Sequence, residues 1–384
     1  MRFLVISPVI HKKVENFYGG YAPYVREMNI WFKHVNEIHV VAPLSSEPLD
    51  PLESLYKHHN LKFKKVPVLN FTNTTNTLKS IFKLPHVFFI LFKEMIWAKH
   101  IHLRCPSNMG LLGSFVQIFF PNKPKTVKYA NNWDWESNQA ATYRIQQRLL
   151  RSEFWTKNTK ILVYGDWKEK SKNVLPFFTA SYSKSMDIPV NVRKISINSE
   201  IRLLFVGTIT ENKRPLIAVK TLETLRERGF NARLDLMGGG YQINEIKEYI
   251  TSKQLDNYVS IHGKMNPDEV IEYYKLSHFL VFFSMSEGWP KVVAEAMWWG
   301  CLPITTNVSC VKYIVDNGKR GVLIEPDQNV AAKVIIDFIQ NTELYEKMCK
   351  DAMEWSRQYH FERFEEEIVK LLDNVLKIKK INLR

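Results

Sequence analysis

The sequence predicts an α/β protein with two domains, each built on a parallel sheet. Short apolar segments typical of buried strands alternate with amphipathic helical segments in both halves of the chain. The 384 residues, 45% of them hydrophobic, are enough for two domains of ordinary size, each with its own core. An irregular stretch over 165–197, which contains Gly165, Pro176 and Pro189, is expected to join them. We therefore place the boundary near residue 190, with domains over 1–190 and 191–384.

The first half shows the strand-helix alternation of a parallel sheet with crossover helices on both faces. The predicted strands are Phe3–Ser7, Ile38–Ala42, Phe63–Val66, Ile101–Arg104 and Thr126–Ala130. A helix is expected from about Ala22 to His34, and a turn at Gly19-Gly20 precedes it. Glycines in that turn would let backbone amides approach a ligand, although a tight turn without a ligand explains the pair nearly as well.

A long apolar stretch runs from Lys79 to His100. Its uninterrupted part, Val87–Phe92, is far shorter than the roughly 20 residues that cross a bilayer. Two interpretations remain open. The segment is either a core helix that covers the sheet or a helix that lies in a membrane interface.

A polar and aromatic cluster, Tyr129–Glu136, follows the fifth strand. Ligands of open α/β sheets bind at the carboxyl ends of the strands. The candidate contacts at this edge are Arg104, Asn131, Asn132 and Asp134. The two tryptophans of the cluster either stack on a sugar ring or anchor the loop in the core.

In the second half, glycines follow three of the predicted strands. The four predicted strands are Ile201–Val206, Arg233–Met237, Val259–Gly263 and Phe279–Phe283. The glycines at or after the ends of the first three are Gly207, the Gly238-Gly239-Gly240 run and Gly263. The loop after Gly207 carries two adjacent cations, Lys213 and Arg214, where a strand meets a helix. Fixed positive charge at such a place suits a diphosphate leaving group, and a solvated basic loop is the alternative.

Two carboxylates, Glu287 and Glu295, flank a turn and the start of a helix. Pro290 suits the first helical position, and Gly300 marks the end of the helix. The helix N-terminus would offer free N–H groups to an anion or to sugar hydroxyls, and the carboxylates can accept hydrogen bonds from hydroxyls. The alternative is an ordinary helix with its charges on a solvated face.

The positive charge is concentrated in the first half of the chain. Residues 1–190 contain 26 Lys and Arg against 13 Asp and Glu, whereas residues 191–384 contain 27 against 26. A basic surface attracts nucleic acid, an anionic membrane or a phosphorylated acceptor through the same field. Charge alone does not choose among them.

Cysteine usage and the N-terminal sequence bear on the cellular compartment. Four widely spaced cysteines, without a Cys-x-x-Cys pair or a Cys/His cluster, are expected to be reduced and to hold no metal. Because the N-terminus lacks the pattern of a secretory signal, a cytoplasmic protein is expected. A helical pattern runs from Val330 to about Leu376, and Lys377–Arg384 is expected to be a solvated tail.

Taken in order, the glycine loops, the cation pair and the Glu287–Glu295 motif resemble the retaining glycosyltransferase family 4, whose members have the GT-B fold. The similarity is strong from Leu203 to Pro326 and looser before it. The resemblance implies two Rossmann-like domains that face a central cleft, with a C-terminal helix that returns to the N-terminal domain. It also implies that residues 1–190 bind the acceptor and residues 191–384 the nucleotide sugar.

The family pattern further implies roles for individual residues. Glu295 would hold the ribose hydroxyls of the donor, Glu287 the transferred sugar, and Lys213 with Arg214 the diphosphate. The catalytic residues would be Lys213, Arg214 and Glu287. The donor site would comprise Gly19, Gly20, Gly207, Gly239, Gly263, Gly288, Trp289, Pro290, Lys291 and Glu295. The chain departs from the pattern twice, because Thr208 stands where family members often have arginine and Ala130 lies where many have histidine.

The implied activity is transfer of a sugar from a UDP- or GDP-linked donor to a glycan or lipid-linked acceptor, as in lipopolysaccharide or capsule synthesis. No Asp-x-Asp pair is present, so neither a metal nor another cofactor is expected. Peripheral contact with the inner face of an anionic membrane is expected from the lipid-linked acceptors of the family. An epimerase or a phosphorylase on the same fold, or a basic scaffold protein, is the alternative. Nucleic acid is not expected as a partner, since the basic half has no recognisable DNA-binding module.

Overall fold

The computed structural model describes residues 1–50 and 52–381, with the side chains of the last helix described up to Asp373. The chain forms two compact units, and it passes from the first to the second after Phe178, returning to the first at Phe364. This division lies upstream of the predicted boundary near residue 190. The segment after Phe178 packs with the second unit, because Tyr182 contacts the rings of Trp298 and Trp299 at 5.2 and 5.5 Å and Arg193 donates to the Trp299 carbonyl at 3.0 Å.

The first unit contains eleven described strands and four described helices before Phe178. The strands are β1 (Arg2–Ile6), β2 (His11–Val14), β3 (Phe17–Tyr21), β4 (Glu37–Ala42), β5 (Leu44–Ser45), β6 (Glu53–Leu55), β7 (Leu61–Lys65), β8 (His100–Cys105), β9 (Lys125–Tyr129), β10 (Thr159–Tyr164) and β11 (Val174–Phe177). The helices are α1 (Ala22–Phe32), α2 (Thr74–Trp97), α3 (Asn108–Val116) and α4 (Ala141–Arg151). The five predicted strands are confirmed within about two residues.

Seven of these strands form a parallel sheet in the order β11-β10-β9-β8-β1-β4-β7. The interior strand β1, which lies between β8 and β4, is buried along almost its whole length, which explains its continuous apolar sequence. The core on one side of the sheet includes Leu4, Leu103 and Val127 from the strands with Val87 and Leu91 from α2. The prediction of a parallel sheet is therefore confirmed for this unit.

A second, four-stranded sheet with the order β5-β2-β3-β6 was not expected from the sequence. It corrects the predicted turn at Gly19-Gly20, because both glycines lie inside strand β3 and pair with β6. A Cβ atom on Gly19 would lie 2.2 Å from the carbonyl oxygen of Ser54. Close packing of two strands thus explains the absence of a side chain at Gly19 without a ligand.

The second unit contains a six-stranded parallel sheet with the order β14-β13-β12-β15-β16-β17. Its strands are β12 (Ile201–Val206), β13 (Ala232–Met237), β14 (Val259–Gly263), β15 (Phe279–Phe282), β16 (Leu302–Thr305) and β17 (Val322–Leu323). Its helices are α5 (Pro215–Glu227), α6 (Ile243–Ser252), α7 (Pro267–Leu276), α8 (Lys291–Trp298), α9 (Val311–Ile314), α10 (Gln328–Gln340) and α11 (Thr342–Ser356). The predicted strands Ile201–Val206 and Val259–Gly263 are confirmed with both ends correct.

The last helix, α12 (Phe361–Ile381), returns to the first unit from Phe364 onward, as predicted. Phe364 packs edge-on against Phe177 and Phe178, and Glu365 pairs with Lys33 at 2.8 Å. The side chains of Lys377–Arg384, expected to form a solvated tail, lie outside the described residues. Among the described helices, none combines the length and the apolar character that crossing a bilayer requires.

Candidate functional site

In the second unit, three loops meet at the carboxyl ends of β12, β13 and β15. The Ile209 amide, in the loop after β12, donates to the Gly239 carbonyl in the loop after β13 at 3.0 Å. The Met285 amide, in the loop after β15, donates to the Asn212 carbonyl at 2.8 Å. Backbone hydrogen bonds therefore hold together the loops that carry the predicted cations, the triple glycine and Glu287.

The triple glycine has a packing role in this loop cluster. A Cβ on Gly238 would lie 1.8 Å from the Gly207 carbonyl oxygen, and one on Gly240 would lie 2.1 Å from the Ile209 carbonyl oxygen. A Cβ on Gly239 would meet only the flexible Lys264 side chain, at 3.3 Å. Gly238 and Gly240 are thus required by the loops themselves, whereas Gly239 leaves room that a ligand could share.

Lys213 and Glu287 form an ion pair between the first and third loops. Their side chains are 18% and 11% exposed, so the pair is shielded from bulk water on most sides. The Lys213 ammonium also lies 5.1 Å from the ring centre of Phe282, at the end of β15. The structure therefore brings together two of the three predicted catalytic residues, which are 74 positions apart in the chain.

Arg214, the third predicted catalytic residue, connects the short 3-10 turn at Glu211–Lys213 to α5. Its backbone is left-handed, with φ 49° and ψ 49°, which costs a residue with a side chain about 1–2 kcal/mol. Among the described residues, the Arg214 guanidinium has no ion-pair partner. It is half-buried beside Lys213, so the loop holds one paired and one unpaired cation.

Glu295 lies on α8, and other side chains hold both of its carboxylate oxygens. Ser181 Oγ donates to Oε1 at 2.6 Å, and Tyr274 Oη donates to Oε2 at 3.3 Å. Burial, reinforced by the charge of Glu295, raises the pKa of Tyr274 well above its ordinary value. Tyr274 therefore stays a hydrogen-bond donor to Glu295 throughout the physiological range. Because an ionised carboxylate offers about four acceptor positions, Glu295 can accept further bonds.

The start of α8 corrects one detail of the prediction. Pro290 precedes the helix as its N-cap, with a non-helical ψ of 85°, and Lys291 is the first helical residue. Trp289 is buried and packs near Trp355 and Tyr359, with ring centres 6.4 and 5.9 Å away. Its side chain therefore anchors the turn. Gly300 has φ 71° and follows the helix, as predicted for a helix end.

Gly288 lies in the turn that precedes α8. Its carbonyl accepts a hydrogen bond from Ser309 Oγ at 2.9 Å and one from Cys310 Sγ at 3.2 Å. These two hydrogen bonds attach the turn to the segment before α9, and the buried side chain of Trp289 anchors the turn as well. These contacts fix the backbone at the predicted sugar-binding turn.

In the first unit, Arg104 at the end of β8 pairs with Glu27 of α1 at 3.3 Å. Burial alone would lower the pKa of Arg104, but the Glu27 carboxylate, together with Tyr164 and Tyr24, more than offsets this effect and the pKa lies above its ordinary value. The guanidinium also lies 5.4 Å from the ring centre of Tyr24. Arg104 is thus a fixed cation at the carboxyl edge of the sheet, where an acceptor was predicted to bind.

The other predicted acceptor contacts shape their own loop. Asn131 Oδ1 accepts from the Asn132 amide at 2.8 Å, and Asn132 Oδ1 accepts from the Asp134 amide at 2.9 Å. Asp134 Oδ1 accepts from the Glu136 amide at 3.0 Å. Asn132 is buried, whereas Asn131 and Asp134 are half-buried and retain polar atoms for another contact.

The two tryptophans of this loop have different surroundings. Trp133 is buried, donates from Nε1 to Glu169 Oε1 at 2.7 Å and packs edge-on against Tyr129. It anchors the loop, which was one of the two interpretations left open by the sequence. Trp135 is 37% exposed, and Arg151 lies 5.1 Å from the centre of its ring.

Three residues at these sites were missed by sequence reasoning. Glu27 could have been found as a carboxylate on the otherwise apolar face of α1, with Tyr24, Met28 and Trp31. Ser181 and Tyr274 had no such signal, because nothing near either residue in the chain indicates a contact with Glu295. Only the folded unit brings them to that carboxylate.

Residues 187–355 match the family model of "Glycosyl transferases group 1". Over this segment, the chain resembles the group 1 glycosyltransferases. The matched segment includes the three loops, the Lys213–Glu287 pair and all of α8. The resemblance drawn from the motifs is therefore confirmed.

The curated relatives of the chain are distant. An uncharacterized glycosyltransferase of Methanocaldococcus jannaschii is 28% identical over 161 residues, which are 42% of this chain and 44% of that protein. The Campylobacter jejuni enzyme named GalNAc-alpha-(1->4)-GalNAc-alpha-(1->3)-diNAcBac-PP-undecaprenol alpha-1,4-N-acetyl-D-galactosaminyltransferase is 23% identical over 182 residues, 47% of this chain and 50% of that enzyme. The chain thus spans about half the length of the curated relatives it matches.

Solved structures extend the likeness to the whole chain. The Anabaena protein HepE, crystallised with UDP and glucose, superposes with a TM-score of 0.67 over 97% of this chain and 100% of HepE, at 13% identity. Such a likeness establishes the fold. The chain therefore has the predicted GT-B fold of two Rossmann-like α/β units with C-terminal helices.

Proposed function

We propose that this chain transfers a sugar from a UDP-sugar to a hydroxyl of a glycan or lipid-linked acceptor, with retention of the anomeric configuration. The observation that carries the proposal is the arrangement of Lys213, Arg214 and Glu287 on linked loops at the carboxyl edge of the second sheet. Two cations beside a carboxylate suit a molecule that combines a diphosphate with sugar hydroxyls. The family assignment supports the same chemistry.

UDP is favoured over GDP as the nucleotide because the structural relative HepE was crystallised with UDP and glucose. In the proposed complex, Glu295 accepts hydrogen bonds from the ribose hydroxyls and Glu287 accepts one from the transferred sugar. Gly239 would let the backbone approach the donor closely. Arg214 and Lys213 bind the diphosphate, with Arg214 supplying the charge that Thr208 does not.

The transfer step balances without a protein nucleophile. The bond between the anomeric carbon and the β-phosphate oxygen breaks, and the acceptor oxygen forms its bond to that carbon on the same face. The acceptor proton passes to the departing phosphate oxygen. Lys213 and Arg214 stabilise the negative charge that develops on the diphosphate, an effect worth roughly 3–4 kcal/mol per well-placed donor. Because these cations supply the charge, we propose that no divalent metal is needed.

The acceptor is proposed to bind the first unit at Arg104, Asn131 and Asp134. The Campylobacter jejuni relative, whose name includes PP-undecaprenol, supports a lipid-linked acceptor. We propose that this acceptor serves surface polysaccharide synthesis. Arg104 would then meet an anionic or hydroxyl group of that acceptor. Sugar transfer to such an acceptor would take place in the cytoplasm, at the inner face of the membrane.

Donor binding is tested by thermal unfolding of the full chain with saturating UDP, GDP, ADP or CMP, each with and without EDTA. A ligand at about 100 times its Kd adds roughly 2.7 kcal/mol, so a rise in Tm of a few degrees with UDP alone is expected. EDTA should leave the shift unchanged. Radiolabelled UDP-sugars would then be screened for release of the free sugar, with Glu295→Ala as the matched control.

The outcomes separate the parts of the proposal. Stabilisation by GDP instead of UDP would overturn the choice of nucleotide but would leave the proposed transferase activity in place. Loss of the shift in EDTA would overturn the metal-independent mechanism. No response to any nucleotide would overturn donor binding altogether and favour a basic scaffold protein.

A further inference from the structure

The outer face of helix α2 exposes large apolar side chains. Phe82 and Phe89 are 82% and 72% exposed, and Ile96 is more than half exposed. Each follows the previous one by seven residues, so all three lie on nearly the same side of the helix. That side is opposite Val87 and Leu91, which are fully buried against the sheet.

The exposed surface continues beyond the helix. Phe119, which follows α3 and is 63% exposed, lies 6.4 and 6.0 Å from the ring centres of Phe88 and Phe92 on the flank of α2. Taking roughly 200 Å² for a phenylalanine, the three most exposed rings present on the order of 400 Å² to solvent. An ordinary surface helix carries polar residues on the face opposite the core, so this apolar surface is unusual.

The charge around this surface has one sign. Between Ser54 and Trp133 the chain contains twelve Lys and Arg and a single acid, Glu94. Glu94 is buried, bonds to His39 and pairs with Lys64 of β7 at 3.7 Å, so it offsets none of the α2 lysines. Lys79, Lys83 and Lys93 of α2 form no ion pair with any described residue.

We propose that the α2 surface, made of Phe82, Phe89, Ile96, Phe119 and the three α2 lysines, docks on an anionic lipid bilayer. Apolar rings beside lysines fit the boundary between lipid headgroups and acyl chains, where the rings leave water and the lysines meet lipid phosphate. A second copy of the chain fits less well, because it would bring the same lysines against each other. Nucleic acid would pair with the lysines but leave the stripe of phenylalanines and Ile96 without a partner.

The test is co-sedimentation of the full chain with vesicles of phosphatidylcholine alone and with vesicles in which about a third of the lipid is anionic phosphatidylglycerol, which gives the surface a negative potential. Wild type should bind the anionic vesicles and bind the neutral ones at least tenfold more weakly. Phe82→Ser/Phe89→Ser and, separately, Lys79→Glu/Lys83→Glu/Lys93→Glu should each weaken anionic binding by about tenfold or more.

Matched controls lie in the second unit. Ile197→Ser/Leu344→Ser removes two exposed apolar side chains, and Lys247→Glu/Lys333→Glu/Lys347→Glu makes the same change in net charge. Both should bind anionic vesicles like wild type. Because Phe82 and Phe89 are exposed, their double variant should keep the Tm of wild type, and an equal Tm establishes that it folds.

Three results would overturn the proposal. One is a wild-type chain that does not sediment with anionic vesicles. Another is a Phe82→Ser/Phe89→Ser variant that still binds vesicles like wild type. If that variant instead differs from wild type only in its molar mass by light scattering, the surface binds a second copy of the chain. The third is binding to duplex DNA or RNA without binding to vesicles. None of these readouts depends on the proposed transferase activity.

Discussion

Ser181 donates a hydrogen bond to Glu295 at 2.6 Å across 114 positions of the chain. Ser181 lies just after the division between the two units, and Glu295 is the carboxylate proposed to bind the donor ribose. Tyr274 holds the other carboxylate oxygen at 3.3 Å. The segment that follows the first unit therefore takes part in orienting a proposed donor contact.

Replacing Ser181 by alanine should raise the KM for the donor about fivefold and leave kcat nearly unchanged. The reason is that one hydrogen bond contributes about 1 kcal/mol and this one acts on a binding residue. Initial rates at varied UDP-sugar concentration measure both constants. Ser185→Ala, on the same segment, is the control. An unchanged KM would show that Ser181 does not orient Glu295.

Replacing Lys213 by alanine should lower kcat by about 100- to 1000-fold, since the lysine is proposed to stabilise charge on the leaving diphosphate. The Tm should fall by only a few degrees, because Glu287 keeps partial access to water. Rates and thermal unfolding measure the two effects. Lys350→Ala, which removes an exposed lysine near Glu346, should leave both unchanged. A fully active Lys213→Ala chain would remove the lysine from the mechanism.

Arg214 allows charge and backbone strain to be separated. Arg214→Gly should raise the free energy of unfolding by up to about 1 kcal/mol, because glycine adopts the left-handed conformation without the steric cost. Arg214→Ala should not show this gain. Both variants should lose at least tenfold in kcat through the lost charge, since fixed cations on the diphosphate carry the proposed mechanism.

The control for this pair is Gln254→Gly, another left-handed position of the second unit. It should gain stability and keep full activity. If Arg214→Ala and Arg214→Gly are equally stable, the left-handed backbone of Arg214 costs less than expected. If both are fully active, Lys213 alone supplies the positive charge.

His278 should make the fold sensitive to mild acid. Burial lowers its pKa from 6.5 to about 4, and the Nδ1 atom accepts a hydrogen bond from the Arg202 amide at 3.1 Å. The unfolded chain therefore binds this proton more readily than the folded chain. The stability from this group is complete above pH 6.5 and is lost as the pH falls toward 4, by about 2 kcal/mol at pH 5.

Urea unfolding at pH 7 and pH 5 measures this effect. His278→Asn keeps an acceptor near Nδ1, and its loss of stability between the two pH values should be smaller than that of wild type by about 2 kcal/mol. His59→Asn, at an exposed position, should lose as much as wild type. Equal losses in wild type and His278→Asn would assign the acid sensitivity to other groups.

Much of the fold could be predicted because its signals are local. Buried parallel strands such as β1 and β12 are continuous apolar runs, and Gly207 and Gly300 mark where a strand and a helix end. The hairpin of β2 and β3 was missed because both strands are short. An exposed lysine in β2 and an exposed glutamate in the turn after it also obscure the strand pattern. The expected turn at Gly19-Gly20 was wrong because these glycines pair with β6, and pairing between distant segments leaves no local signal in the sequence.

The sequence by itself determined the α/β class, the parallel strands, the family motifs and which residue types could meet a diphosphate and sugar hydroxyls. These follow from apolar periodicity and from spacing along the chain. The tertiary structure decided that Lys213 pairs with Glu287, that Ser181 and Tyr274 hold Glu295, and that the rings of Phe82 and Phe89 face water. Such contacts depend on where distant segments pack, and apolar periodicity alone does not show which apolar face of a helix the sheet covers.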